Sequence, residues 1–421
     1  MDGDTNPLDY VRKESQNFSK KPVYILSLAT ATIMLGFGII MPLFPYYLDN
    51  PKFIPPFIGN VAIVGGILMS TFSIVRFIMS GPMGALSDRL GRKPLMLISI
   101  LGYAVVTLSY VFANSFWDLV LIRIFQGLLS SGFMPAASAY ISDVSPIEQR
   151  GQSLGILMAG NMIGFIFGPM VGGILSIGPN GTYDFVTPFV VASILSLVTF
   201  VTTGIFVKES LTPEKKAILA HHRATSEKGL YARLELVRSL FLIFVIATVM
   251  SFGSALSEGV LGFFGKDYLY LTPLSISLVF SVFGIFSIIS QLLFSHYSDK
   301  HGRRKSIIIG LILITAGYGM FAISTELILF GIGIVLLASS TGFISPAITA
   351  LAADKTSLVD RGKAMGIVNS ASSLGRILGP VLGTWMYAQN YRLPFYMTLF
   401  VMVITILLSL KLKDAHNIES L

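Results

Sequence analysis

Residues 84–93 read Gly84-Ala-Leu-Ser-Asp88-Arg89-Leu-Gly91-Arg92-Lys93 and lie between two long apolar stretches. Gly91 suits a tight turn between two helix ends, because glycine adopts backbone conformations that other residues avoid. The Asp88 carboxylate would be stabilised near a helix N-terminus, where the helix dipole favours negative charge. Contacts of this kind, made in one conformation and broken in another, would form a latch. The alternative is the ordinary positive charge of a cytoplasmic loop. The predicted latch residues here are Gly84, Asp88, Arg89, Gly91, Arg92 and Lys93.

A weaker copy of this loop occurs 211 residues later, where residues 298–305 read Ser-Asp-Lys-His-Gly-Arg-Arg-Lys. It adds Asp299, Gly302 and Arg303 to the predicted latch. The same offset relates three separate regions, so the two halves of the chain are repeats. The matching pairs include Asp88 and Asp299, Arg92 and Arg303, Pro135 and Pro346, Asp143 and Asp354, and Pro169 and Pro380. Two repeats related by an axis along the membrane normal are typical of transporters, whose halves rock about a site between them.

The composition indicates a membrane protein. Hydrophobic residues make up 53% of the 421 residues. Charged residues make up only 12%, against about 25% in ordinary soluble proteins. A spanning helix needs about 20 apolar residues, and we predict twelve such segments, without the alternation that a barrel strand would show. They cover residues 23–48, 57–82, 94–113, 116–140, 151–176, 184–207, 238–265, 274–297, 305–324, 326–352, 362–388 and 393–412. The predicted fold is all-α, with two pseudo-symmetric six-helix halves.

The basic residues predict the orientation in the membrane. When the loops between the predicted spans are numbered from the N-terminus, Lys and Arg are frequent in the even-numbered loops. The odd-numbered loops hold only Lys52, Lys266 and Arg392. Cytoplasmic loops carry the excess of basic residues, so both termini are predicted to be cytoplasmic. The predicted organisation is a tail at 1–22, a six-helix bundle at 23–207, a cytoplasmic linker at 208–237, a second bundle at 238–412 and a tail at 413–421.

The loop at 84–93 resembles the signature loop of the major facilitator superfamily, and the resemblance covers the chain from about residue 23 to 412. In the fourth span, Arg123-Ile-Phe-Gln126-Gly127 resembles the second motif of that superfamily, in which the arginine is linked to proton transfer. The resemblance implies the twelve-helix major facilitator fold and transport by alternating access.

The fifth span resembles a motif of exporters in this superfamily, especially the twelve-helix drug:proton antiporters. Small residues at four-residue spacing allow close helix approach, and a Gly-Pro pair suits a kink. The alternative is the ordinary small-residue packing that any polytopic membrane protein uses. The motif residues are Gly160, Gly164, Gly168, Pro169, Gly172 and Gly173.

Few ionisable residues lie deep in the spans, and each is a candidate for function because charge is costly in a membrane. Glu258 in the seventh span is the predicted proton carrier or contact for a cationic substrate, since low dielectric favours protonation of a carboxyl group. Its alternative is a solvated position near the outer interface. Arg123, Arg376 and Arg76 are predicted coupling or substrate residues, with hydrogen bonding to carbonyls as the structural alternative. For Arg376 and Arg76, pairing with a distant acid is a further alternative. Three arginines against one acid leave an anionic or lipid-like substrate open.

Aromatic and polar residues of the spans are candidates for the wall of a substrate cavity. Aromatic side chains in spans also face lipid or neighbouring helices, which is the alternative. Some exporters of the superfamily carry an acid in the first span where this chain has Tyr47. The predicted cavity residues are Phe37, Tyr46, Tyr47, Gln126, Asn161 and Phe263.

Several chemistries are excluded or disfavoured. The chain has no cysteine, which excludes disulfides, thiol catalysis and cysteine-ligated metals. It has no Walker-type phosphate loop and no Gly-x-Ser-x-Gly motif, and the adjacent His221 and His222 lack further metal ligands. The net charge is +8, but the charged residues lie between apolar runs, which suits membrane orientation rather than nucleic-acid binding. We therefore predict no enzyme, metal, cofactor or nucleic-acid partner.

The sequence predicts a multi-pass plasma-membrane transporter that exports small amphipathic or lipophilic compounds, such as drugs, in exchange for protons. The proton gradient would supply the energy. The expected partners are a small-molecule substrate, protons and the lipid bilayer, and the resemblance implies a monomer. Two alternatives stay open. One is a transporter of an organic anion, sugar or lipid, and the other is a non-transporting receptor or sensor.

Overall fold

The computed structural model describes residues 19–146, 149–179, 182–211, 240–356 and 361–412. Twelve long helices lie in these ranges. They are α1 (Lys21–Ile40), α2 (Val61–Leu90), α3 (Arg92–Ser109), α4 (Phe116–Val144), α5 (Arg150–Leu175), α6 (Val186–Phe206), α7 (Phe241–Asp267), α8 (Pro273–Phe294), α9 (Arg303–Ile323), α10 (Leu327–Asp354), α11 (Arg361–Gln389) and α12 (Leu393–Ser409). Nearly all of the predicted tails, and the predicted linker from residue 212 onward, lie outside the described residues.

Capping side chains account for several helix starts. Asn60 begins α2, because its side chain accepts hydrogen bonds from the backbone N–H groups of Ala62 and Ile63. Ser115 and Asp118 form a reciprocal capping box at the start of α4. Such side chains satisfy backbone donors that the first helical turn leaves without partners.

Ten of the twelve long helices in the described ranges are long and apolar enough to cross a membrane. The other two are α11, which has polar residues at 369–373 and Arg376, and α12, an apolar helix of 17 residues. The prediction of twelve helices is therefore confirmed. Helix α2 continues to Leu90 and α10 to Asp354, beyond the predicted spans. Apolarity marks only the part of a helix inside the bilayer, so it understates the full helix.

The same helix contacts occur in both halves. In the first half, α1 packs against α5 and α6, α3 against α4 and α6, and α2 against α4. In the second half, α7 packs against α11 and α12, α9 against α10 and α12, and α8 against α10. The halves meet where α2 contacts α11 and where α5 contacts α8. These paired contacts make the two halves pseudo-symmetric, as the repeat predicts.

The halves are closed at one end of the bundle, which we call the far end. There Lys266 of α7 forms an ion pair with Asp49, which follows the short helix Phe44–Tyr47. A Cβ atom at Gly66 of α2 would lie only 1.9 Å from Oγ1 of Thr384 of α11. The halves are therefore in direct contact at the far end.

The opposite end carries Asp88 and Asp299, and we call it the motif end. A Cβ atom at Gly81 of α2, Gly155 of α5 or Gly366 of α11 would meet no atom within 4 Å. The inner faces of these helices are therefore separated at the motif end. The fold leaves a space between the halves that opens toward this end.

Candidate functional site

A cavity of about 920 Å³ lies between the two halves. Its first-half wall combines polar residues, among them Arg76, Arg123 and Gln126, with apolar residues that include Phe37, Met41, Phe44, Met69, Phe72, Phe77, Met134 and Met158. Its second-half wall includes the polar residues Asn369, Ser370, Ser372 and Ser373 of α11. The cavity is therefore amphipathic, and its aromatic and methionine side chains come from the first half.

An ion pair lies on the second-half wall of the cavity. Nη1 of Arg376 donates to Oε2 of Glu258 at 2.6 Å, and Nη2 donates to Oε1 at 3.3 Å. The side chain of Glu258 is 33% exposed and that of Arg376 is 50% exposed. A two-point guanidinium–carboxylate contact fixes the orientation of both groups. Because the pair faces the cavity, water and a bound compound can both reach it.

Arg123 of α4 lies on the first-half wall and is only 6% exposed. Its guanidinium is 4.3 Å from the ring centre of Phe44, and Nη1 donates to Oε1 of Gln126 at 3.0 Å. The Tyr110 hydroxyl donates to the same oxygen at 3.1 Å. Nε of Arg123 has no hydrogen-bond partner among the described residues. Within the described chain, an aromatic face and a neutral amide therefore stabilise this charge, with no carboxylate in contact.

Arg76 of α2 is exposed to the cavity, and its guanidinium lies 5.9 Å from the ring centre of Phe72. It makes no hydrogen bond or ion pair with any residue in the described ranges. Arg76 also lines a side pocket of about 60 Å³ within the first half, together with Phe37, Phe72 and Met134. Arg76 is thus a cationic group between the cavity and the side pocket, without a counter-ion among the described residues.

Only some of the predicted cavity residues lie on the cavity wall. Phe37, Gln126 and Asn161 are there.

The prediction is corrected for Tyr46, Tyr47 and Phe263, which do not line the cavity. Helix α1 ends at Ile40, and a 3₁₀ turn and a short helix follow, so the tyrosines leave the face that α1 presents to the cavity. The Tyr46 hydroxyl donates to the Leu271 carbonyl at 2.5 Å, and that of Tyr47 to the Tyr110 carbonyl at 2.6 Å. Phe263 is fully buried; a Cβ atom at Gly65 would lie 2.6 Å from its ring.

The predicted latch of the first half is a network around Arg92, the first residue of α3. The guanidinium of Arg92 bonds Asp88, donates to Oγ of Ser87 at 3.1 Å, and donates from Nε to Asp143 at 3.2 Å. Asp143 lies near the end of α4. The network therefore ties together the loop and the motif-end termini of α2, α3 and α4.

The carboxylate at the N-terminus of α3 is that of Glu209, which was not among the predicted site residues. It accepts hydrogen bonds from the backbone N–H groups of Arg92 at 3.0 Å and Lys93 at 3.1 Å. Asp88 was expected in this role, but it lies at the end of α2 and pairs with Arg92. Glu209 follows α6, so only the fold brings it to α3. Gly91, at φ 122°, makes the turn between α2 and α3. Arg89 is exposed, and Lys93 Nζ donates to the Gly204 carbonyl.

The second half repeats the Arg92 network. Arg303 bonds Asp299, donates to Oγ of Ser298 at 3.1 Å, and donates from Nε to Asp354 at 3.1 Å. Gly302 makes the matching turn, with φ 95°. The hydrogen bond and positive charge of Arg303 hold the pKa of Asp299 below its ordinary value. The pair therefore stays ionised at neutral pH and is lost only when the pH falls through that lowered pKa.

The glycines of the predicted antiporter motif form the contact between α5 and α1. A Cβ atom would lie 2.1 Å from the carbonyl oxygen of Ser27 at Gly160, and 2.1 Å from that of Ala31 at Gly164. Gly168 and Gly172 meet the carbonyls of Leu35 and Ile39 in the same way. Gly173 faces α8 of the other half, where a Cβ atom added at Gly173 would lie 2.6 Å from the Cβ atom of Ser277. Pro169 lies within α5 and is buried.

Comparisons with known proteins cover nearly the whole chain. The Major Facilitator Superfamily family model matches residues 26–266 and 243–420. "Multidrug resistance protein 2" of Bacillus subtilis (strain 168) is 29% identical over 416 residues, which is 96% of this chain and 98% of that protein. "Tetracycline resistance protein, class C" of Escherichia coli is 27% identical over 373 residues, covering 87% of this chain and 90% of that protein.

A solved structure also matches. The crystal structure of the human organic anion transporter MFSD10 aligns with a TM-score of 0.68, covering 93% of this chain and 99% of that chain. The sequence identity is 20%, so this similarity shows the fold alone.

Proposed function

Because the chain belongs to the major facilitator superfamily, we propose that it is a secondary active transporter that exports small amphipathic or lipophilic compounds in exchange for protons. Membership of this superfamily makes the chain a multi-pass membrane transporter rather than an enzyme. The observation that supports proton-coupled export is the position of Glu258, a carboxylate on the wall of a cavity of about 920 Å³. Cavities of this size hold drug-sized compounds.

Glu258 is the proposed proton site. When it is ionised, Arg376 donates a hydrogen bond to each of its two oxygens. Protonation removes the charge that Arg376 binds and frees the guanidinium. A neutral or cationic compound that binds against the ionised carboxylate competes with the proton, because both need the same group. This competition is what exchange of substrate for protons requires.

Alternating access would come from rocking of the two halves. With both termini in the cytoplasm, the orientation predicted from the basic residues, the motif end is the inner end and the described conformation faces inward. The Asp49–Lys266 contact would break as the far end opens. We place this transporter in the plasma membrane as a monomer, with the proton gradient as its energy source and no cofactor.

The proposal is tested in liposomes that hold the purified protein and a pH-sensitive dye. A proton gradient is imposed, and a panel of neutral, cationic and anionic amphipathic compounds is added to the wild type and to Glu258→Gln. We expect compound-dependent proton movement in the wild type and none in the variant, which should still exchange labelled for unlabelled compound. That residual exchange shows that the variant is folded and binds its substrate.

Two results would contradict the proposal. If no compound of the panel moves with or against the proton gradient, the chain is not a proton-coupled exporter of such compounds. If compounds move equally well with and without proton movement, the chain is a facilitator, and Glu258 has a structural role.

A further inference from the structure

We propose that the cavity binds organic anions with an apolar body, and that Arg76 is the residue that contacts their acidic group. This names a substrate class for the cavity described above, and so it rests on the proposed function. The proposal starts from the charges on the wall. In the described ranges the cavity is lined by three guanidinium groups, those of Arg76, Arg123 and Arg376, and by one carboxylate, that of Glu258.

These charges leave the cavity positive. Arg376 is paired with Glu258, so this pair has no net charge while both groups are ionised. Arg76 and Arg123 contact no carboxylate of the described chain. A cleft with low-dielectric walls and one sign of charge concentrates ions of the opposite sign. The cavity is therefore expected to attract anions and to disfavour cations.

Arg76 is the more accessible of the two unpaired cations. Arg123 is 6% exposed and is covered by Phe44, whereas Arg76 is exposed to the cavity. A guanidinium offers several N–H donors in a planar fork that matches the oxygens of a carboxylate or sulfonate. Arg76 can therefore bind an acidic group without first breaking an internal contact.

The two serine hydroxyls of α2 on either side of Arg76 do not compete for that role. The Ser73 hydroxyl donates to the Met69 carbonyl at 3.0 Å, and the Ser80 hydroxyl donates to the Phe77 carbonyl at 2.9 Å. Both serines flank Arg76 on α2, and both present an oxygen lone pair rather than a free O–H to the cavity. Acceptors repel an anion, so on this stretch of α2 the guanidinium N–H groups of Arg76 are the donors.

The surroundings of Arg76 also define the rest of the ligand. Phe37, Phe72 and Met134 line both the main cavity and the side pocket that meet at Arg76. An aromatic or alkyl body would bury its surface against these side chains while its acidic group remains at the guanidinium. The chemistry that fits is an amphipathic organic acid.

The test measures equilibrium binding to the purified full-length protein. The probes are an arylsulfonate, the neutral sulfonamide and the quaternary ammonium compound built on the same aromatic body. A sulfonate stays ionised across the pH range, so its charge is the same in every measurement. The variants are Arg76→Gln, Arg76→Lys and, as a matched control, Arg392→Gln, which removes an arginine charge at the far end outside the cavity.

We expect the wild type to bind the sulfonate at least about tenfold more tightly than the quaternary ammonium compound. Arg76→Gln should weaken sulfonate binding by about tenfold and leave the sulfonamide unchanged, which also shows that the variant is folded. Arg76→Lys should retain part of the preference, and Arg392→Gln all of it.

The outcomes separate this proposal from the proposed function. If the sulfonamide is exported in exchange for protons but the sulfonate binds no better than the cation, the anion site is wrong and the function stands. If the sulfonate binds through Arg76 but no compound is transported, the function is wrong and the site stands. Equal sulfonate binding by the wild type and Arg76→Gln overturns the role of Arg76.

Discussion

The arginines at positions 92 and 303 make the same contacts in the two halves but differ in burial. The side chain of Arg92 is 7% exposed and that of its partner Asp88 is 20% exposed. The values for Arg303 and Asp299 are 22% and 61%. Removing one partner of a buried pair leaves an uncompensated charge, whereas an exposed pair is replaced by water at little cost.

We therefore expect Arg92→Gln to be the more damaging of the two matched substitutions. It should lower the free energy of unfolding by about 3 kcal/mol. Arg303→Gln should lower it by about 1 kcal/mol or less. Thermal unfolding of the purified variants in detergent, at one pH near 7, measures the difference. Equal losses of stability would show that burial does not distinguish the two networks.

At the scale of residues, charge is easier to predict from sequence than contact. Glu258 and Arg376 are conspicuous because ionisable residues are rare in apolar spans. Their pairing joins residues 118 positions apart, and only the packing of α7 against α11 reveals it. Glu209 gave no such signal, since it lies in a polar stretch among many other charges. Its role depends on where the end of α6 meets the start of α3.

Among the elements, the α1–α5 contact depends most directly on a sequence motif. Glycines at positions 160, 164, 168 and 172 of α5 face carbonyls at 27, 31, 35 and 39 of α1, so both series advance by four residues. This spacing keeps residues on one helix face, and the absence of side chains lets the backbones touch. The geometry gives the motif a packing role, which is independent of any role in export.

The chain offers a matched pair of substitutions to test this contact. A Cβ atom at Gly164 would lie 2.1 Å from the Ala31 carbonyl, whereas one at Gly155 of the same helix meets nothing within 4 Å. Gly164→Ala should therefore destabilise the protein by about 1–3 kcal/mol, because α1 and α5 must move apart. Gly155→Ala should be neutral or slightly stabilising, since alanine is the better helix former. Thermal unfolding of the two variants measures this, and similar stabilities would contradict the close contact.

The positions of the helices could be predicted from the lengths of the apolar segments, but the breaks within those segments could not. Tyr46 and Tyr47 follow α1 in sequence and were predicted to share its cavity face. The 3₁₀ turn at Met41–Leu43 changes the direction in which later side chains point. Prolines at 42 and 45 mark the region as irregular. They do not specify which way the chain turns, so the ring contacts of Tyr47 with Tyr110 and Phe189 became visible only in the fold.

At the scale of the whole molecule, an ion pair joins the halves at the far end. Lys266 contacts Asp49 of the first half and, at 3.3 Å, Asp267 of its own helix. Asp49→Asn removes the contact between the halves, whereas Asp267→Asn removes only a contact within one half. A partly exposed pair is worth about 1 kcal/mol or less. Asp49→Asn should therefore increase the far-end-open population by up to about fivefold, as a fluorescent distance pair across that end would report. Asp267→Asn should leave the population unchanged, and an equal shift in both variants would contradict a lock between the halves.

Rocking of the halves also requires that α2 and α11 separate at the far end, and Gly66 lies where they touch. A Cβ atom there would be 1.9 Å from Thr384 Oγ1 and 2.7 Å from the Pro380 carbonyl. Gly66→Val should therefore hold the far end open. Gly81→Val on the same helix should not, because a Cβ atom at Gly81 meets nothing within 4 Å. The absence of cysteine from the chain allows a single reporter, Ser70→Cys, at a buried position one turn from Gly66.

A membrane-impermeant thiol reagent, added from the far side, measures the opening. We expect labelling of Cys introduced at Ser70 to be slow alone, equally slow with Gly81→Val, and several-fold faster with Gly66→Val. Binding of a transported compound shows whether each variant is folded. Gly66→Val should also abolish transport without a loss of binding, because a protein held open at one end cannot complete the transport cycle. Slow labelling in a folded Gly66→Val protein would show that the far end closes without the α2–α11 contact, and the rocking axis would then have to lie elsewhere.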